Sequence, residues 1–497
     1  MSLTSTPLST PAAPTPASSS TDDSIRLPPG LKHSLIWYAF KPWVKLGDPI
    51  LLFEHLLRTY GNIAHYSFMG TPIVFVNDPE YIREILVTQN ASFVKERTVR
   101  RMRILLGDGL ITSDEPFHMR QRRIAAPAFH RQRIAAYADT IVDAAVTAGK
   151  QLHAGADGEP GPAFDIAAAQ MALSLEIVAR TLFDTQVDDD IRRINDEVNT
   201  IMGLYNFIVA FPRIELFLDL PIPGIMRFKR SKAALDAVVD RLIREHRAHI
   251  ADAKAAGTEP DRGDLLSMLL SSRDELLDAA GNPTGEFVTM SDTQVRDEVL
   301  TIFLAGYETV ANGLTWTWYL LSQNPEAEAR LHAELDAVLG TGAQRRLPTL
   351  TDMPRLRYTE QVFAESMRLY PPAWAMGRQS TRPITLGPYR IPAGAHFFFS
   401  QYIASRTPEY FPDPLRFDPD RFTPEAKAAR PKYAYFPFGG GSRQCIGESF
   451  AWMEGILSIA TLAHRWRFVY ADTEPPVTQA KITLRPKNPL RMRAVPR

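Results

Sequence analysis

Along the chain, apolar positions first alternate and then recur with helical spacing. Two short alternating runs, Ile63–Phe68 and residues 72–76, predict a strand pair turned at Gly70. Beyond Pro79 the spacing becomes mostly helical. It predicts helices at residues 139–152, Ile166–Phe183, residues 232–254, Asp292–Gln323, Pro325–Leu339 and residues 359–370. Polar or Gly/Pro-rich breaks fall at 154–162, 256–263 and 281–285, and further strand signals lie near 384–399 and near the C-terminus. No break separates two self-sufficient halves, and no internal repeat is present. The pattern predicts one mainly α unit with small β-sheets at its margin, an α+β class, over residues 27–497. Residues 1–26 are mostly Ser, Thr, Pro and Ala, and predict a disordered tail.

Charge narrows the function classes. Lys+Arg and Asp+Glu are both 56 in 497 residues, so no global field recruits nucleic acid or an acidic surface. No apolar run reaches the length of a membrane span. The first 25 residues contain no Lys or Arg and resemble neither a secretory signal nor a mitochondrial presequence, which points to a cytoplasmic protein without a membrane anchor.

The chain contains one cysteine, Cys445, within Phe438-Gly439-Gly440-Gly441-Ser442-Arg443-Gln444-Cys445-Ile446-Gly447. A lone thiol cannot make an internal disulfide, a Cys-based zinc site or an iron–sulfur cluster. It can pack as an ordinary buried cysteine, or it can be the axial thiolate of a haem iron. The glycines allow close backbone approach to a flat group, and Arg443 can reach a propionate and favour thiolate over thiol.

This decapeptide resembles the haem-binding loop of cytochrome P-450 monooxygenases, Phe-x-x-Gly-x-Arg-x-Cys-x-Gly, at every fixed position. The resemblance covers residues 27 to 497 and implies haem b held by Cys445, with Phe438 and Gly447 beside the sulfur. Ala305-Gly306-Tyr307-Glu308-Thr309 is similar to the family's distal-helix element. There Ala305 and Gly306 would flank the oxygen site, and Thr309 and Glu308 would handle protons during oxygen activation. Glu365-x-x-Arg368, with Arg421 downstream, matches a family scaffold pair and is read as structural. His118 and Arg122, one helical turn apart, occupy places that hold haem propionates, as does Arg378; Ser405 stands where the family commonly has His. Arg120, Arg123, Arg131 and Arg133 could form a basic docking surface for a redox protein.

By the same resemblance, residues 99–110, 201–223 and 373–376 and the neighbourhood of Ile482 would line the substrate pocket. Their apolar character suits a fatty acid or terpenoid-like molecule. Arg213, within that reach, could meet a carboxylate or stand exposed. No Gly-x-Gly-x-x-Gly follows a strand, and the haem domain takes up the length. Electrons would then come from a separate ferredoxin or flavodoxin with its reductase. The expected activity is insertion of one atom of O₂ into an apolar substrate. A peroxygenase or isomerase on the same site, and a non-catalytic haem sensor, are the rivals; Thr309 argues against the first.

Overall fold

Ser291 opens the helix around which the rest is arranged. Its hydroxyl accepts from the Gln294 N–H at 3.3 Å, and the Gln294 side chain accepts the Ser291 N–H at 2.8 Å, a reciprocal cap. The helix runs Asp292–Gln323, about 48 Å at 1.5 Å per residue. It ends before Asn324 and Pro325, where the next helix, Pro325–Leu339, begins. Its apolar residues are buried on nearly every side, because Ile166–Phe183, Pro223–Ala256, Arg357–Leu369 and Glu448–Ala463 all pack on it. The computed structural model describes residues 24–497 apart from 46–47, 156–158, 184–219 (of which 197, 200 and 201 are described), 259–263 and 278–282.

A six-stranded sheet flanks the helices, in the order Gly30–Ser34, Ile63–Phe68, Thr71–Val76, His396–Phe399, Met376–Ser380, Phe93–Lys95. The expected hairpin at Gly70 is present, with Phe68 opposite Thr71. Met69 and Gly70 both have positive φ, as a two-residue turn matched to strand twist requires. A second sheet joins Trp466–Tyr470, Arg491–Pro496 and Phe164–Asp165. Short pairs are formed by Ile384–Leu386 with Tyr389–Ile391 and by Thr478–Ala480 with Leu484–Pro486. Among the described residues no helix is long and apolar enough to cross a membrane.

Two expectations need correction. The helix predicted at 232–254 begins at Pro223, whose fixed φ suits a first helical position. The clustered Arg227, Lys229 and Arg230 mask the period, although Ile225 and Phe228 are buried. Of the break at 281–285, residues 283–285 instead belong to a hairpin, Arg273–Leu277 against Pro283–Thr289, and 281–282 lie outside the described residues. A two-stranded ribbon tolerates Pro283 and Gly285 because no strand lies beyond it. The predicted tail falls almost wholly outside the described residues, as do 202–219 with Arg213.

The scaffold pair is fully buried. Arg368 donates to both Glu365 oxygens at 2.6 and 2.7 Å, and to the carbonyls of Ser405, Pro414 and Arg416 at 2.7, 2.7 and 3.1 Å. Glu365 also accepts the Asp418 N–H at 2.8 Å, with Arg421 Nε at 3.6 Å. Ser405 thus belongs to this clamp through its carbonyl. Replacing Glu365 by Ala would leave the Arg368 guanidinium buried without its counter-charge. We expect a loss of about 3–5 kcal/mol in denaturant unfolding of the protein; a loss below about 1 kcal/mol would show that the pair is dispensable.

Candidate functional site

The segment before the helix Glu448–Ala463 folds back on itself. The N–H of Cys445 donates to Phe438 O at 2.9 Å, that of Gly439 to Phe436 O at 2.9 Å, and that of Gln444 to Gly441 O at 3.1 Å. Gly441 has φ +69°, and a Cβ there would stand 1.9 Å from the Leu86 carbonyl, so glycine is required where the loop rests on that turn. At Gly447 a Cβ would meet only Phe129 at 3.8 Å and the Cys445 sulfur at 4.0 Å. The protein leaves room there, beside a cavity that both residues line.

That cavity, about 320 Å³, lies between the cysteine loop and the helix Asp292–Gln323. Cys445, Phe438, Arg443 and Gly447 line it from the loop, Ala305, Gly306 and Thr309 from the helix, and His118 and Arg122 from Phe117–Ala125. These nine expected site residues are therefore brought together. Thr309 Oγ donates to the Ala305 carbonyl at 2.7 Å, and the helix continues unbroken through this turn. Gly306 has a packing reason as well, since a Cβ there would press on Val178 at 3.2 Å. The Cys445 side chain is open to the cavity yet desolvated by its surroundings. Burial pushes its thiol pKa up, a Gly447 N–H and Arg122 oppose that, and Glu448 adds to it.

Glu308 does not line the cavity. It is buried on another face of the helix, accepting from Thr483 Oγ at 2.6 Å, while Asn312 donates to the same hydroxyl at 3.2 Å. Burial raises its pKa, and Thr483, Arg485 and Lys481 work against that rise.

At one edge of the cavity basic groups converge. Lys95, His118, Arg122 and Arg443 line it, and Arg378 is buried close by without lining it. Lys95 and Arg378 are directly opposite each other on adjacent strands. Burial and the neighbouring Arg378 and Arg443 pull the Lys95 pKa well below its ordinary value. Burial and Arg443 lower Arg378 to about 10. Burial, Lys95 and Arg443 lower His118 to about 4, so it is neutral at pH 7, with Glu115 Oε1 3.0 Å from its Nδ1. The nearby carboxylates are Asp114, 3.3 Å from Arg443, and Glu115, 3.7 Å from it. Arg122 donates to Gln444 O at 2.7 Å, and Arg378 Nε has no partner.

Lys95 was not foreseen. The signal available was the triplet Phe93-Val94-Lys95, in which period two places Lys95 on the same face as buried Phe93. Of the expected substrate segments, Leu110, Ala373 and Met376 line the cavity and Ile482 does not; Ile111, Leu182, Thr301 and Phe363 are additions. On the expected docking surface, Arg120 is half-buried, with its Nε enclosed and without a hydrogen bond. Arg123 and Arg133 are already engaged within the chain, and the Arg131 side chain lies outside the description.

The residues fit a haem. A single soft sulfur faces an open cavity, glycine leaves space beside it, and an excess of buried positive charge, including an unpartnered guanidinium nitrogen, calls for carboxylates at one edge. A sequence model of the family described as cytochrome P450 matches residues 28–492. Cyclooctatin synthase of Streptomyces melanosporofaciens is 36% identical over 460 residues, covering 90% of this chain and 91% of that protein. Cyclooctat-9-en-7-ol 5-monooxygenase of the same organism is 37% identical over 421 residues, 84% of each chain. Pentalenene oxygenase of Streptomyces avermitilis is 32% identical over 443 residues, 87% of this chain and 90% of that one. In fold, the crystal structure of the cytochrome P450DA heme domain superposes with a TM-score of 0.79 at 24% identity, covering 95% of this chain and 98% of that one. The chain belongs to the cytochrome P450 family and is a haem-thiolate monooxygenase.

Proposed function

We propose that this monooxygenase hydroxylates or epoxidises terpenoid-like apolar small molecules, with Cys445 as the iron ligand and a separate ferredoxin or flavodoxin, with its reductase, as electron source. The observation that carries the reading is the meeting of the Cys445 sulfur and the Thr309 hydroxyl in one cavity whose remaining walls are mostly apolar. The substrate class draws support from the relatives named for cyclooctatin, cyclooctat-9-en-7-ol and pentalenene. When bound, the haem supplies the oxygen-activating chemistry.

The chain supplies the rest. Leu110, Ile111 and Phe363 exclude water from the apolar side. Thr309 holds a hydroxyl hydrogen at the cavity wall, ready to pass it inward once its bond to Ala305 O opens. Glu308 is the proton source behind it, reached by turning from Thr483. His118, Arg122, Arg378 and Arg443 serve as propionate partners, joined by Lys95.

The defining experiment is the spectrum of the reduced, carbon monoxide-bound protein, followed by titration of the ferric form with cyclic terpenes. The thiolate-type Soret position and terpene-induced spin shifts are expected; a thiol-type spectrum in fresh protein, or spin shifts with fatty acids alone, would reject the corresponding half of the proposal. Cys445→Ser should abolish that Soret position. In Thr309→Ala, product formed per electron consumed should fall by about tenfold or more, with hydrogen peroxide released instead; unchanged coupling removes Thr309 from proton delivery. Lys95→Met separates the two states of the cationic edge. Apoprotein should melt higher, because a desolvated charge beside Arg378 and Arg443 is gone, while haem is lost faster to an acceptor such as apomyoglobin. A lower apoprotein melting temperature with unchanged haem retention would show that Lys95 answers no anion.

A further inference from the structure

Residues Gly107 to Thr112 cross the helix Asp292–Gln323 and present Leu110 and Ile111 to the cavity. They belong to no strand or α-helix, and side chains carry much of their backbone bonding. The Asp108 N–H donates to Asp297 Oδ2 at 2.9 Å and the Leu110 N–H to Glu298 Oε2 at 3.0 Å. Thr112 Oγ returns to the carbonyls of Gly107 at 2.7 Å and Gly109 at 3.1 Å. The alternate residues are pressed against the helix. A Cβ on Gly107 would fall 2.1 Å from the Asp297 carboxyl, and one on Gly109 would fall 2.1 Å from Thr301 Oγ. The segment therefore lies as close as backbone allows, held at the Asp108 and Leu110 N–H groups by consecutive acids of one helix.

The two acids are not equivalent. Asp297 keeps Arg296 at 3.5 Å and some exposure. Among the described residues, Glu298 is fully buried with no cation in contact, and its second oxygen has no partner. A buried carboxyl of that kind is costly to keep, and its one bond goes to the residue that forms the cavity wall. We propose that Glu298 is a positioning residue that pins the wall carrying Leu110 and Ile111, and thereby sets which molecules the cavity holds. This rests on the reading above that the cavity is the substrate site. Without the Glu298 acceptor, Leu110 is held only through the turn that the Thr112 and Ser113 N–H groups close on Gly109 O at 3.0 and 2.9 Å, and the wall loosens while the cysteine loop is untouched.

Burial, opposed by the Leu110 N–H and aided by Asp297, pushes the Glu298 carboxyl up to about 8. The acid is then mostly neutral at pH 7, and Gln is a close replacement that still offers an acceptor oxygen. The test uses haem-loaded protein and two iron-ligating probes, imidazole and the bulkier 4-phenylimidazole, titrated through the Soret shift. In Glu298→Leu the affinity for 4-phenylimidazole should fall by about fivefold or more, the loss of one buried hydrogen bond, while that for imidazole stays within about twofold. Glu298→Gln should restore both. Equal weakening of both probes, no weakening, or a Gln variant that behaves like Leu would overturn the proposal. If wild-type protein gives no Soret shift with either probe, the haem-site reading itself fails instead. Should Glu298→Leu not fold, hydrogen exchange on the wild-type protein decides. Amides of Asp108 and Leu110 protected like those of the long helix support the pin; exchange at the rate of an exposed loop removes it.

Discussion

Buried positive charge with too few partners is the condition to which much of this structure answers. Lys95 and Arg378 face each other across adjacent strands, an arrangement that repels. Arg443 comes from the cysteine loop and His118 from a helix, so four separate parts of the chain deliver basic groups to one edge. Asp114 holds two of these parts at once, accepting the Lys95 N–H at 3.0 Å and sitting 3.3 Å from Arg443. The remaining excess is tolerable where a bound dianion completes the cluster. The sheet, the loop and the helix thus bring their basic groups to one edge of the cavity.

The contrast with Glu365 and Arg368 separates scaffold from site. Both clusters are buried and both use arginine. In the first, every strong donor of Arg368 ends on a carboxylate or carbonyl of the chain. In the second, Arg378 reaches, among the described residues, only its neighbouring carbonyl of Gly377 at 2.9 Å and keeps Nε unpartnered. Arg421 Nε beside Glu365 is also enclosed without a hydrogen bond, so an unpartnered nitrogen alone marks no ligand site; what sets Arg378 apart is its place among Lys95 and Arg443 at the cavity edge.

The local sequence was most readable where chemistry and geometry coincide in a few residues. Cys445 with its glycines and Arg443, and Thr309 with Ala305, lie on single elements, and their short spacing survives folding unchanged. The cores of the long helices were legible because one apolar face recurs every three to four residues. What escaped depends on distant partners. Lys95 looks like an unremarkable strand residue until Arg378 and Arg443 arrive beside it. The side-chain direction of Glu308 was not legible either, since it is set by Thr483, 175 positions away. The start of the helix at Pro223 was hidden by surface charge, and Pro283 and Gly285 concealed a ribbon that needs no inner strand.

The cavity walls are drawn from Lys95 through Ala451. During synthesis the N-terminal sheet edge and the long helix emerge well before the cysteine loop, so the site must wait, unfinished, for Arg443 and Cys445. No nascent chain shorter than that can close the site around its prosthetic group, whatever helices have already formed. Cofactor capture through Cys445 in this protein is therefore a late event, possible only once nearly the whole chain has been made.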